Sequence, residues 1–177
     1  MKLQDALAKY GLLLLQDKKL PSAVGIVTGQ AVSGSWWSHP RANEIFHKLD
    51  QLDDAVSAKL IGGKVTFVHP KLLPALAAVG AARARWQMHG LSPAARKLLA
   101  RVDREGSVRA SGPASKELQL RLLVKAQEVH TESGSHATVL ERWPPSKLDA
   151  EEGRHQLQTA ATAIGAELHD LPWNRFA

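Results

Sequence analysis

The sequence contains no cysteine, which excludes disulfide bonds and thiolate metal sites. Its longest strongly apolar run is the leucine stretch at residues 12–15, far shorter than the roughly 20 residues that a membrane-spanning helix needs. Near the N-terminus no apolar core is followed by a small-residue cleavage site, so no secretory signal peptide is predicted. These absences lead us to expect a cytoplasmic protein that does not contact a membrane.

Motifs of common enzyme classes are missing as well. There is no G-x-S-x-G motif, and the Gly62-Gly63-Lys64 stretch is too short for a phosphate-binding loop. Among eight histidines, the best-placed pair is His130 and His136 on a candidate hairpin, and no third ligand accompanies it. We therefore expect neither a metal nor a cofactor, and the sequence leaves open whether the protein is an enzyme.

Positive charge is abundant and unevenly distributed. The net charge is +6 and the isoelectric point is about 9.8. Residues 1–70 carry a net charge of +2, residues 71–125 carry +8 and residues 126–177 carry −4. Such segregation predicts a positive face that attracts polyanions, and nucleic acid is the first candidate.

Apolar periodicity predicts a mainly helical region over residues 1–90. Helices are predicted over residues 2–16 and 22–27, from Pro40 onward, from Asp53 or Asp54 to Leu60, and over residues 72–88. The run KVTFVH at residues 64–69 is rich in β-branched and aromatic side chains, so it predicts one short strand.

Residues 91–145 show a clearer pattern. A helix begins at Ser92-Pro93, and an extended piece at residues 106–109 precedes a second helix over residues 114–124. Two β-prone runs then flank a Ser-Gly-Ser turn and predict a hairpin. This order is typical of a winged helix, a variant of the helix-turn-helix, although the chain has room for only one helix between the strand and the hairpin.

The predicted fold class is therefore α+β and mostly helical, with a helical N-terminal half and a winged-helix-like C-terminal half. Residues 146–177 are expected to form a helix over residues 148–164 and a tail that packs back on the body.

The function predicted from the basic stretch is binding of nucleic acid, with DNA favoured over RNA. Its expected phosphate contacts are Arg96, Lys97, Arg101, Arg104, Arg109, Lys116 and Arg121, with the hairpin tip at residues 133–135 as the wing. These side chains would position a duplex and not read bases. However, Glu128, Glu132 and Glu141 on the hairpin would repel phosphates, so a protein–protein interaction module that binds a partner through the hairpin is an alternative.

The stretch SGSWWSHPR at residues 33–41 places two tryptophans before a predicted helix start. Neighbouring side chains cannot share one face of regular structure. We therefore expect Trp37 to be buried, together with Phe46, and Trp36 to be exposed and able to stack on a base.

A His-Pro pair followed by a cation stands at two predicted helix starts, with His39 and Arg41 at one and His69 and Lys71 at the other. One hypothesis is that the four side chains meet around a phosphate or sulfate; the competing one is that the prolines only fix two separate helix starts. A further alternative for the function is a DNA-repair-like enzyme that acts on a nucleotide or damaged base in a cleft. Its lining would be Trp36, His39, Arg41, Glu44 and His69.

The phrases SWWSHP and GKVTFVH, within residues 20–145, resemble a largely uncharacterised family of bacterial and fungal proteins. The C-terminal half is also distantly similar to the winged-helix repeats of bacterial DNA glycosylases that unhook alkylated cross-links. That similarity implies a winged-helix fold and DNA as partner. Gln156-Leu157-Gln158 matches the Gln-x-Gln spacing of those enzymes, but it falls on the predicted tail helix, so no catalytic residue is carried over.

Overall fold

The structure is a computed structural model that describes residues 1–52, 54–130 and 136–177. In this part of the chain the helices are α1 (Leu3–Tyr10), α2 (Ala23–Thr28), α3 (Ala42–Leu49), α4 (Leu73–Ala81), α5 (Arg85–Met88), α6 (Pro93–Glu105), α7 (Pro113–Leu120), α8 (Ala150–Ala163) and α9 (Pro172–Arg175). The strands are β1 (Leu12–Leu14), β2 (Val56–Ile61), β3 (Lys64–Val68), β4 (Ser107–Arg109), β5 (Lys125–His130) and β6 (His136–Glu141). Of the part of the chain that the structure describes, 51% is helical, and the strands form two small sheets, so the α+β, mostly helical fold class is confirmed.

The first sheet is antiparallel, with strand order β1-β3-β2. The helix predicted up to Leu60 is wrong, because residues 56–61 form β2; Asp53, one of its two proposed caps, lies outside the described residues. Gly62 and Gly63, both at positive φ, make the tight turn into β3 that two-residue hairpins favour. Pairing with β3 therefore overrides the local helical signal.

The helix predicted over residues 2–16 is also too long. Gly11 adopts a φ of 78° and donates its N–H to the Leu7 carbonyl oxygen, which ends α1 at Tyr10. The three leucines of β1 are completely buried and pair with β3. A short leucine run that is buried all round is as compatible with a central strand as with a helix, so the sequence pattern alone could not separate the two.

The single helix predicted over residues 72–88 is divided between α4 and α5. Arg83 lies between them with a φ of 53°, a left-handed conformation that an α-helix cannot contain. Buried Gln87 stabilises the break, since its Oε1 accepts the N–H of Ala84 at 2.8 Å and its Nε2 donates to the Gly80 carbonyl oxygen at 3.1 Å. The helix predicted at residues 114–124 likewise ends early, at Leu120, before Leu122 at a φ of 54°.

Residues 91–141 build a second sheet and their own core. The antiparallel strand order is β4-β6-β5, and the predicted helix α6 is confirmed, with Ser92 as its N-cap. The buried core residues of this part are Leu91, Ala95, Leu99, Val102, Val108, Leu118, Leu123, Val124 and Leu140. The proposed wing tip at residues 133–135 and Glu132 lie outside the described residues.

Helix α4 is the centre of the main core and is flanked on one side by α8. Gly153 of α8 faces α4 so closely that an added Cβ would lie 2.7 Å from the Ala75 carbonyl oxygen. On another side the Trp143 indole rests on Gly80 and donates its Nε1–H to the buried Leu122 carbonyl oxygen at 2.8 Å. The two glycines therefore allow α8 and the segment that carries Trp143 to approach α4 closely.

We expect Gly80→Ala to destabilise the protein by about 1–3 kcal/mol, since a Cβ there would lie less than 3.0 Å from atoms of the Trp143 indole. The gain in helix propensity of about 1 kcal/mol offsets part of this cost. Urea denaturation measures the change. Thr162→Ala, at an exposed position of α8, is the control and should stay within about 0.5 kcal/mol of the parent; an equally stable Gly80→Ala variant would contradict the close contact.

Candidate nucleic-acid interface

Three of the predicted phosphate contacts form one stripe on α6. At 100° per residue, Lys97, Arg101 and Arg104 fall within about 60° of one another around the helix. All three are exposed, and they lie on the side opposite the buried residues Leu99 and Val102. The stripe is about 10 Å long, given a rise of 1.5 Å per residue. It therefore points away from the core along its whole length.

The cations of the stripe are only weakly neutralised. Arg101 Nε lies 3.1 Å from Glu105 Oε2, and Arg104 Nη2 lies 3.6 Å from the same oxygen. Within the described residues Lys97 has no ion-pair partner. Exposed ion pairs of this kind contribute only about 0–1 kcal/mol, so a phosphate can replace Glu105 at little cost.

Two more of the residues that are predicted to contact phosphate lie on the elements that follow α6. Arg109 is exposed on β4, at the edge of the second sheet, and Lys116 is exposed on α7. In the part of the chain that the structure describes, neither side chain has a hydrogen bond or ion pair. Together with the stripe they give residues 97–116 five exposed cations.

Arg96 and Arg121 instead hold the backbone of α5 and of the residues that follow it. Arg121 Nη1 donates to the carbonyl oxygens of Trp86 at 3.1 Å and His89 at 2.7 Å, and its guanidinium lies 4.7 Å from the Phe176 ring centroid. Arg96 Nη2 donates to the Met88 carbonyl oxygen at 2.8 Å. We therefore leave both arginines out of the interface, although their charge contributed to the sequence prediction.

Helix α7 is covered on two sides. It packs against α6, where Glu117 accepts hydrogen bonds from the Ser92 N–H at 2.8 Å and the Ser92 hydroxyl at 2.7 Å. Burial raises the pKa of Glu117, but these bonds and the charge of Arg121 together hold it below its usual value. On its other side α7 packs against β2. Of the residues of α7, only Pro113 and Lys116 are exposed.

Lys59 lies where β2 meets α7 and β5. The strand pairing of β2 is irregular between Ala58 and Ile61, so Lys59 sits at a bulge, a feature that redirects side chains. Burial, followed by the positive charge of Lys116, lowers the pKa of Lys59, whereas Glu128 acts to raise it. Lys59 could not be identified as a site residue from the sequence, because the pattern predicts a helix where β2 lies.

The two adjacent tryptophans are arranged in the reverse of the predicted order. Residues 36–38 form a 3-10 turn in which Trp36 is buried against Val24 and Ile45, while 57% of the Trp37 surface is exposed. The indoles stack with centroids 4.0 Å apart and planes inclined by 25°. Phe46, expected to be mostly buried, is half-buried, and its ring centroid lies 6.0 Å from that of Trp37. The gap between α2 and α3 takes the first indole, and the second rests on it.

The two His-Pro segments are separate helix caps. His39 Nδ1 accepts the Arg41 N–H at 3.0 Å, and His69 Nδ1 accepts the Lys71 N–H at 3.1 Å. The Arg41 guanidinium binds both carboxylate oxygens of Glu44, at 2.7 and 2.9 Å, and Lys71 Nζ donates to a carbonyl oxygen at the end of α1. These contacts account for each helix start by itself, and a shared anion site stays a prediction.

An open cleft of about 650 Å³ lies elsewhere, between the loop after β1 and the segment after α8. On its wall Lys64 Nζ contacts Asp17 Oδ2 at 2.6 Å. Burial raises the pKa of Asp17, but the bond from Lys64 and the backbone N–H groups of Leu20 and Lys19 outweigh it and hold that pKa below its usual value. None of the side chains proposed for a Trp- and His-lined cleft borders this one.

Among the described residues, no three potential ligands gather in a group that could hold a metal ion. The side chains of His130 and His136 are not among those described. None of the described helices has the length and apolar character required to cross a bilayer.

The position of Lys59 has a measurable consequence. In Lys116→Gln the titration midpoint of the Lys59 amine should rise, because a nearby positive charge is removed, and in Glu128→Gln it should fall, because a favourable negative charge is lost. NMR titration of the lysine side chains measures both shifts. Lys97→Gln is the control and should leave the midpoint unchanged; a fall in Lys116→Gln or a rise in Glu128→Gln would contradict the contact of β2 with α7 and β5.

Comparison with known proteins gives no family: no family model matches the chain, and neither a curated protein nor a solved structure shows significant similarity to it.

Proposed function

We propose that the protein binds nucleic acid, with DNA favoured, by placing the α6 stripe of Lys97, Arg101 and Arg104 against phosphates. The observation that carries this proposal is the position of the stripe: three exposed cations on one helix face, directly opposite the core. Phosphate contacts from lysine and arginine supply most sequence-independent affinity for nucleic acid. Arg109 and Lys116 extend the same charged region onto β4 and α7.

The architecture around the stripe supports a winged-helix-like module. Its elements follow the order α6, β4, α7, β5, β6, and β4 joins the hairpin at the edge of one three-stranded sheet. It departs from a full winged helix in having one helix between β4 and the hairpin. Since α7 is covered by α6 and β2, its reach toward base edges is limited. We therefore propose contacts to the backbone and no reading of sequence.

The acidic residues of the hairpin favour a second candidate function, the docking of a protein. Glu141 is partly neutralised, because its carboxylate accepts a bond from Gln127 Nε2 at 2.9 Å and lies 3.9 Å from Lys125 Nζ. Glu128, in contrast, is exposed and repels phosphate. A positively charged protein surface suits this edge of β5 better than a duplex does.

The triple variant Lys97→Gln, Arg101→Gln, Arg104→Gln tests the proposed function. Each phosphate contact contributes about 0.9 to the slope of log affinity against log salt on duplex DNA. We therefore expect that slope to become shallower by about 2.7 in mobility-shift titrations at several salt concentrations. RNA duplexes measured in parallel determine whether DNA is preferred.

A charge-matched control separates a specific stripe from general electrostatics. The variant Lys2→Gln, Lys18→Gln, Lys19→Gln removes the same charge from exposed positions near the N-terminus, and it should keep most of the slope. Equal losses in both triple variants would contradict the stripe, and the absence of any binding by the parent protein at low salt would contradict nucleic-acid binding as a whole.

A further inference from the structure

Trp37 is the one tryptophan with a largely exposed side chain. The exposed fractions of Trp36, Trp86, Trp143 and Trp173 are all below 10%, against 57% for Trp37. One face of the Trp37 indole is covered by Trp36 at a centroid distance of 4.0 Å. Its exposed area must therefore come from the ring edges and the opposite face.

The exposed indole is held in a fixed position. Trp36 beneath it belongs to a core cluster with Val24 and Ile45. The backbone N–H of Trp37 donates to the Ser35 hydroxyl at 3.3 Å. The backbone N–H of His39 donates to the Trp36 carbonyl oxygen at 3.0 Å and so closes the turn. The protein therefore loses little conformational freedom when a ligand stacks on Trp37.

The surroundings extend this aromatic surface. The Phe46 ring lies beside Trp37, and the His47 ring meets Phe46 edge to face with centroids 5.8 Å apart. His47 and the next residue, Lys48, are exposed on α3. A flat aromatic ring thus finds a stacking face, with a polar and partly cationic margin next to it.

We propose that Trp37 stacks on an unpaired nucleobase, so that the nucleic acid bound by this protein includes a single-stranded segment. This inference rests on the proposed function and names the class of its ligand. Bases inside a duplex are covered on both faces by their neighbours, whereas an unpaired base leaves a face for an indole. Stacking of this kind tolerates any base sequence, which agrees with an interface that contacts the backbone.

Tryptophan fluorescence tests the proposal directly, because a ligand that stacks on the exposed indole quenches it. We expect a ten-residue oligothymidylate to quench the parent protein, and a blunt-ended duplex to quench it much less. In Trp37→Ala the quenching should disappear and the affinity for oligothymidylate should fall about 5- to 150-fold. The affinity of this variant for the duplex should be unchanged.

Two further variants complete the experiment. Trp37→Phe keeps a smaller ring and should retain part of the affinity for single strands. Leu168→Ala removes another exposed apolar side chain, 47% exposed in the parent, and should bind like the parent. Circular dichroism and thermal unfolding establish that each variant is folded.

The outcomes separate this inference from the proposed function. If Trp37→Ala binds oligothymidylate like the parent while the α6 triple variant loses duplex binding, the stacking site is overturned and the stripe stands. An equal loss in Trp37→Ala and Leu168→Ala also overturns it. A proline-rich peptide that quenches Trp37 where oligothymidylate does not would assign the indole to a protein partner. If the parent binds no oligonucleotide, both proposals fall.

Discussion

The contact between Trp143 and Gly80 anchors the segment that follows the second sheet to helix α4 in the main core. The indole lies where α4 has no side chain, and its Nε1–H satisfies the buried carbonyl oxygen of Leu122. Leu122 and Trp143 flank β5 and β6 in the chain, but both belong to the main core together with α4, which carries Gly80. A buried hydrogen bond cannot be exchanged for water without cost, and a close-packed contact does not slide. The contact of Trp143 with Gly80 and Leu122 therefore anchors the second sheet, and with it α6, to the main core.

Basic side chains serve two purposes in this chain, and only their contacts in the structure distinguish the two. Arg121 donates from Nη1 to the carbonyl oxygens of Trp86 and His89 at the end of α5, and its guanidinium lies over the Phe176 ring in the C-terminal tail. Lys97, in contrast, has no hydrogen bond or ion pair among the described residues. The net charge of +8 in residues 71–125 therefore overstates the charge that a ligand encounters. What attracts a polyanion is the part of this charge that the fold does not use.

Local sequence signals sufficed for α6 and failed for the first sheet. Ser92 and Pro93 mark the start of α6, and its apolar spacing leads without interruption to Gly106, so each signal agrees with the others. Strand β2 exists because it pairs with β3, and no local pattern reports a partner. The positive φ of Arg83 could not be predicted from the sequence either. It accompanies the bonds that Gln87 Nε2 donates to the carbonyl oxygens of Gly80 and Arg121, and Arg121 is distant in the sequence. The spacing alone predicts that Lys97, Arg101 and Arg104 share one helix face. Which of the two adjacent tryptophans is buried depends on the gap between α2 and α3, and the sequence does not show that gap.

Phosphate contacts and base stacking respond differently to the solution. The free energy of a phosphate contact comes largely from the release of counterions, so it declines as salt rises. Stacking on Trp37 involves no change of charge and keeps its value. A protein that combines both therefore holds duplex and single strand by forces of unequal salt dependence, and its preference moves toward unpaired bases as ionic strength increases. The selectivity of such a protein is then a property of the solution as much as of the surface, even where, as we propose for α6 and the indole pair, no base sequence is read.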